Sequence, residues 1–97
     1  MKVSEVDEKA LADYARIDEP GELELAELKR MKESAVAMFT AYTGLSEAEL
    51  DEHKDITQAL FITVMDMFDN RNLMMEKTAT MNPAVKIILN LHSVNLL

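Results

Sequence analysis

The stretch LSEAELDEHKD, residues 45–55, gathers Glu47, Glu49, Asp51, Glu52 and Asp55 around His53, and these are residue types that could do chemistry. Closely spaced carboxylates are hard oxygen ligands, so calcium is the first chemistry to weigh. An EF-hand loop sets Asp and Asp or Asn at fixed positions and a glycine at its sharp turn. No glycine stands in this stretch, so it reads as a solvated polar connection with one short helical turn capped by Ser46. His53 invites zinc, but the chain has one other histidine, His92, far along the sequence, and no H-x-x-x-H pair. With no cysteine, neither a disulfide framework nor a thiolate metal site can form, which fits a reducing cytoplasm. A glycine-rich phosphate loop, a nucleophile beside a base and a defined carboxylate pair are all missing. No catalytic, cofactor or metal site is expected, and the chain reads as a non-enzyme.

Charge separates the two halves. Residues 1–55 hold 15 of the 18 acids and 7 of the 10 bases, so the whole net charge of −8 lies there. Nucleic-acid binding draws its affinity from Lys and Arg that displace counterions, so a surface of this sign disfavours DNA, RNA and anionic membranes. The opening residues MKVSE lack an apolar signal core, and no apolar run approaches the roughly 20 residues of a spanning helix. A soluble, non-exported protein that does not bind membranes is expected. At 97 residues and 48% apolar composition, the chain should form a single helical domain over 1–97.

Helical periodicity supplies the elements. Ser4 can cap a first helix, with Asp7 three residues on, and Val6, Ala10, Leu11 and Tyr14 then recur at helical spacing. Pro20-Gly21 breaks that helix. Arg16 and Asp18 flank Ile17, which lets the apolar residue point inward while both charges stay in water. A second helix runs from about Leu23 to Tyr42, with Leu28, Met31, Ala35, Met38, Phe39 and Tyr42 on one arc and Gly44 as its C-terminal cap. Glu22, Glu24 and Glu27 sit in its first turns, where the helix dipole favours carboxylates by about 0.3–1 kcal/mol each.

A third helix, about Asp55 to Asn70, is apolar around much of its circumference: Ile56, Ala59, Leu60, Phe61, Ile62, Val64, Met65, Met67 and Phe68 leave Gln58, Asp66 and Asp69 as the polar side. Such a helix must be covered on more than one side, either as the central helix of a monomer or in part by another subunit. Asn70 to Asn82 has no period and carries Met74, Met75 and Met81, adaptable side chains suited to a partner surface. Arg71 stands where it could grip a carboxylate bidentately. Asn82 then caps, and Pro83 opens, a final helix with Val85, Ile87, Ile88, Leu89 and Leu91, and the closing HSVNLL is apolar enough to seek cover. The fold class expected is all-α, a small bundle of about four helices with a long loop before the last.

Three segments, LADYARIDEPGELELAELKRMKESAVAMFTAYTG, DITQALFITVMDMFDNRN and NPAVKIILNLH, resemble in order, over nearly the whole chain, the small head–tail connector proteins of long-tailed double-stranded DNA phages, also called portal adaptor or head-completion proteins. The resemblance lies in a leucine-rich first helix ending in Arg-Ile-Asp, a second ending in Tyr-Thr-Gly, a third ending near Asn-Arg, and an Asn-Pro helix start. It departs where Phe68-Asp69 replaces the more usual aromatic-Glu, and where the C-terminal Leu-Leu-x-x-x-Arg pattern lacks its arginine. The resemblance implies a structural virion protein at the head–tail junction, assembled in the host cytoplasm. Its partners would be further copies of itself in a dodecameric ring, the portal protein, and a tail or stopper protein, with DNA passing through the lengthened channel unbound. It further implies that Arg16, Ile17 and Asp18 hold the first turn, that Tyr42 and Gly44 hold the end of the second helix, and that Asn70 and Arg71 start an inter-subunit loop. Subunit contacts are expected at Arg71, Met74, Met75, Met81, Asn82 and Pro83.

Two other classes compete. A small transcriptional regulator would use the early helix, turn and helix, but its acid-rich second helix meets DNA with the wrong sign. A small acidic helical interaction or regulatory subunit, of an enzyme or of antitoxin type, would copurify with a bacterial protein rather than with portal.

Overall fold

The computed structural model describes residues 1–70 and 81–94. A 3-10 turn, Val3–Glu5, precedes α1 (Glu8–Tyr14), α2 (Glu22–Thr43), α3 (Glu47–Leu50), α4 (Lys54–Asp69) and α5 (Pro83–His92), and no strand occurs among the described residues. The all-α expectation holds.

The ends of the helices follow from local chemistry, with one correction. Asp7, not Ser4, caps α1: its Oδ1 accepts from the backbone N–H of Ala10 at 2.8 Å. Ser4 lies inside the preceding turn and donates its own N–H to Asp51 Oδ1 at 2.8 Å. Both residues are good caps, and the contact to a distant aspartate decides between them.

Helix α1 closes in a Schellman motif. Ile17 N–H reaches the Ala12 carbonyl at 3.0 Å, Arg16 N–H reaches that of Asp13 at 3.1 Å, and Ile17 packs on the core. The motif needs a left-handed residue, and that residue is Arg16, at φ 59°. Glu19, at φ 48°, is left-handed as well. Arg16 and Asp18 stay exposed on either side of Ile17. At the start of α2, Glu24 Oε1 accepts the Gly21 N–H at 3.1 Å. At its end Gly44 takes φ 79° and donates to the Thr40 carbonyl at 2.9 Å.

Packing centres on α4, which lies against α2, α5, α1 and the N-terminal turn. Ile56, Ala59, Leu60, Val64 and Met67 are buried, together with Leu28, Ala35 and Phe39 of α2, Leu11 of α1, and Val85 and Leu89 of α5. Phe61, Ile62, Met65 and Phe68 are half-buried against the same core, so the chain's own helices cover most of the wide apolar arc of α4. Tyr14 stacks on Phe61 with ring centroids 4.8 Å apart. Two buried threonines, Thr57 and Thr63, widen the covered face beyond its apolar residues. Thr57 is satisfied by donating its hydroxyl to the Met1 carbonyl at 2.8 Å. The connection from 45 to 55 is less polar in space than in sequence: Leu45 and Leu50 are buried in the core. Burying each such side chain contributes about 1.5–3 kcal/mol.

Contacts at the helix ends set the directions. Asn82, before α5, reaches Asp66 late in α4, while His92 at the end of α5 meets Asp55 in the first turn of α4. Helices α4 and α5 are therefore antiparallel. The chain after α5 meets the end of α2, since Val94 N–H donates to the Thr43 carbonyl at 2.7 Å. Thus α2 runs parallel to α5 and antiparallel to α4.

Of the three left-handed positions, Arg16 and Gly44 give opposite expectations. A non-glycine residue there costs about 1–2 kcal/mol, part of which glycine returns as unfolded-state entropy. Arg16→Gly should stabilise by about 0.5–1 kcal/mol, and Gly44→Ala should destabilise by about 1 kcal/mol. In thermal unfolding each kcal/mol moves the midpoint by about 4–8 °C. Shifts of the same sign in both variants would contradict the backbone assignment.

Candidate functional site

The residues expected at a subunit contact divide into two sets. Arg71, Met74 and Met75 lie outside the described residues. Met81 is half-buried and packs on the core of its own chain. Asn82 caps α5, its Oδ1 accepting from Ala84 N–H at 2.8 Å and Val85 N–H at 3.4 Å, and its Nδ2 donates to Asp66 Oδ2 at 3.4 Å. Pro83 occupies the first turn of α5 and is exposed. Met81 and Asn82 thus fix where α5 starts relative to α4.

At the other end of α5, Tyr42 does more than close α2. Its hydroxyl donates to Asn90 Oδ1 at 2.7 Å, and Ser93 Oγ donates toward the carbonyls of Tyr42 and Thr43 at 3.5 and 3.4 Å. With the Val94 N–H, these bonds satisfy carbonyls that the end of a helix leaves without partners. The residues that follow α5 cap the end of α2, and the Tyr42 hydroxyl ties α2 to α5 through the Asn90 side chain.

The same end holds a cluster that spacing does not reveal. His92 Nε2 lies 2.9 and 2.8 Å from the two carboxylate oxygens of Asp55, and the His53 ring stacks on that of His92 with centroids 3.9 Å apart and planes inclined by 24°. Imidazole lone pairs lie in the ring plane, so two nearly parallel rings do not aim at one ion. Among the described residues no group of three or more His, Cys, Asp or Glu is placed to hold a metal. The cluster is a tether between α4 and α5. Its ends suit it, because Asp55 sits in the positive first turn of α4 and His92 in the negative last turn of α5. No local motif joins His53 to His92, and the folded chain alone brings them together.

The acids of residues 45–55 mostly serve structure. Glu49 is held below its ordinary value by its hydrogen bonds with Ser46, backbone first and side chain second, with His53 adding a smaller effect. Asp51 is held below its ordinary value by hydrogen bonds from Ser4. A shallow groove above α2, lined by Asp7, Glu8, Lys29, Lys32, Glu33 and Glu47, mixes both signs and converges on no single point.

Several large apolar side chains also remain exposed, Met1 at 63% and Tyr14 at 46% among them. Leu23 is 89% exposed, and Ile87, Leu91 and Val94 are 63%, 72% and 67% exposed. The apolar C-terminal stretch therefore leaves the Val94 side chain in water. No described helix is long and apolar enough to cross a membrane.

The depressed carboxylates set a pH dependence. A folded-state value below the unfolded one means that the unfolded chain takes up the proton first. The stabilisation is then complete above the ordinary values, 4.5 for Glu49 and 3.8 for Asp51, and is lost as pH falls through the lower folded values. Asp51→Asn keeps an acceptor for Ser4 but cannot ionise, so urea unfolding should show a smaller loss of stability between about pH 5 and 3 in the variant than in the parent. Identical losses would mean that the Ser4–Asp51 bond is not formed in solution. Compared with protein-family models, curated proteins and solved structures, the chain matches none of them.

Proposed function

We propose that this chain is a non-enzymatic structural protein of a long-tailed double-stranded DNA phage, forming a ring between the portal and the tail or stopper protein and extending the DNA channel after packaging. The observation that carries a self-assembling reading is the apolar stripe of Ile87 and Leu91 on α5, continued by Val94 just past it and left in water. Contiguous exposed apolar surface on a small protein marks a partner site. The ordered resemblance of three segments to head–tail connectors supplies the identity of the assembly, and the helical fold agrees with it. The charge distribution suits a channel component, because an acidic first half repels the phosphates of passing DNA and keeps it from adhering. In this reading the loop that begins at Asn70 and Arg71 and carries Met74 and Met75 reaches the neighbouring subunit, with Met81, Asn82 and Pro83 at its root. The place of action is then the head–tail junction of the virion.

Negative-stain imaging of the purified protein, alone and mixed with portal, should show rings, and gel-shift assays at low salt should show no tight DNA binding. Met74→Asp with Met75→Asp should give folded subunits that do not assemble, since desolvating an unpaired carboxylate at the contact is costly. Rings formed by that double variant would remove the loop from the contact, and salt-sensitive DNA binding by the parent would sink the channel reading.

A further inference from the structure

Besides Met1 and Tyr14, the exposed large apolar side chains form two features, Leu23 on α2 and the line of Ile87, Leu91 and Val94. Leu23 stands in the first turn of α2, among the exposed Glu19, Glu22 and Glu24. Ile87 and Leu91 lie four residues apart on one face of α5, and Val94 continues the line beyond the helix, fixed by its N–H bond to Thr43. From Leu23 to Thr43 the α2 axis rises about 30 Å, so one chain cannot bring its own Leu23 to the Val94 end of its own stripe.

We propose that a second copy of this chain covers the α5 stripe with the Leu23 end of its α2, placing apolar surface on apolar surface and Glu22 beside Lys86. Charge selects this occupant. Residues 81–94 contain no acid, and among the described residues Lys86 is the exposed lysine or arginine of α5, on a chain whose net charge is −8. Leu23 is the exposed apolar side chain set among glutamates, so the two patches complement each other in both polarity and sign. Stripe against stripe would bring Lys86 toward Lys86 instead, and one lysine is too little for a nucleic acid or an anionic lipid surface. Because the patches differ, the contact is heterologous and leaves one patch of each kind free, so it either closes into a ring or runs on. This inference rests on the self-assembly proposed above but uses residues apart from the 71–83 segment.

Sedimentation velocity across a concentration series tests it. The parent should self-associate, while Leu23→Glu and Leu91→Glu should each stay monomeric with unchanged helical circular dichroism, since both sites are exposed. Mixed together, these two variants retain one intact patch each and should form a heterodimer and nothing larger. Lys86→Glu should weaken association about two- to fivefold, as expected for a rim ion pair, and adding Glu22→Lys to it should restore the loss. A parent that remains monomeric overturns the contact. So does a Leu23→Glu variant that assembles like the parent while Leu91→Glu does not, which would mean that the stripe pairs with itself. If both variants assemble like the parent, this contact is wrong and the ring reading stands without it.

Discussion

Burial of α4 is the constraint from which the other contacts follow. Its apolar arc is too wide for any one neighbour, so α2, α1, α5 and the N-terminal turn each take a share of it. A helix of ten residues such as α5 has little stability by itself, because a short helix does not recover the cost of its first turn. It holds its place by burying Val85 and Leu89 against α4 and by being pinned at both ends, at Asp66 through Asn82 and at Asp55 through His92. Having turned those residues inward, α5 must turn Ile87 and Leu91 outward. The exposed stripe is thus a geometric result of covering α4 with a helix that is apolar on both faces.

The same economy explains the acid-rich turn between α1 and α2. A glycine would relieve the left-handed backbone that Arg16 adopts, yet a charged side chain stands there, with Asp18 and Glu19 close behind. The Schellman bonds and the burial of Ile17 over-determine the conformation, so the backbone tolerates the strain. The glutamates that follow serve the start of α2, one of them through its bond to the Gly21 N–H.

Local signals in the sequence were sufficient for much of the fold. Asn82-Pro83 marks the start of α5, Gly44 the end of α2, and Ser46 the start of α3, because each depends on atoms within three or four residues. Ser4 and Asp7 could not be ranked in the same way, since the contact that separates them reaches Asp51. Leu45 and Leu50 were hidden by the acids around them, and the period that would place them on a buried face is too short to register in a four-residue helix. The His53, Asp55 and His92 tether and the Tyr42 to Asn90 bond join segments distant in sequence, so no spacing rule could find them. For the expected interface the position is different. Met81 and Asn82 are placed by the fold, whereas Arg71, Met74 and Met75 carry only the composition argument made from the chain.

The hydrogen bonds that secure the described chain's two ends fall at one pole of the bundle. Met1 is held by Thr57 and Ser4 by Asp51, while Val94 is held by Thr43 and Ser93 by the carbonyls beside it. These anchors cluster where α2 ends and α4 begins. The Pro20-Gly21 turn and the junction around Asn70 and Met81 occupy the far pole. One local opening at this pole would therefore release both the first turn and the end of α5, so their amides should exchange with solvent as a single unit.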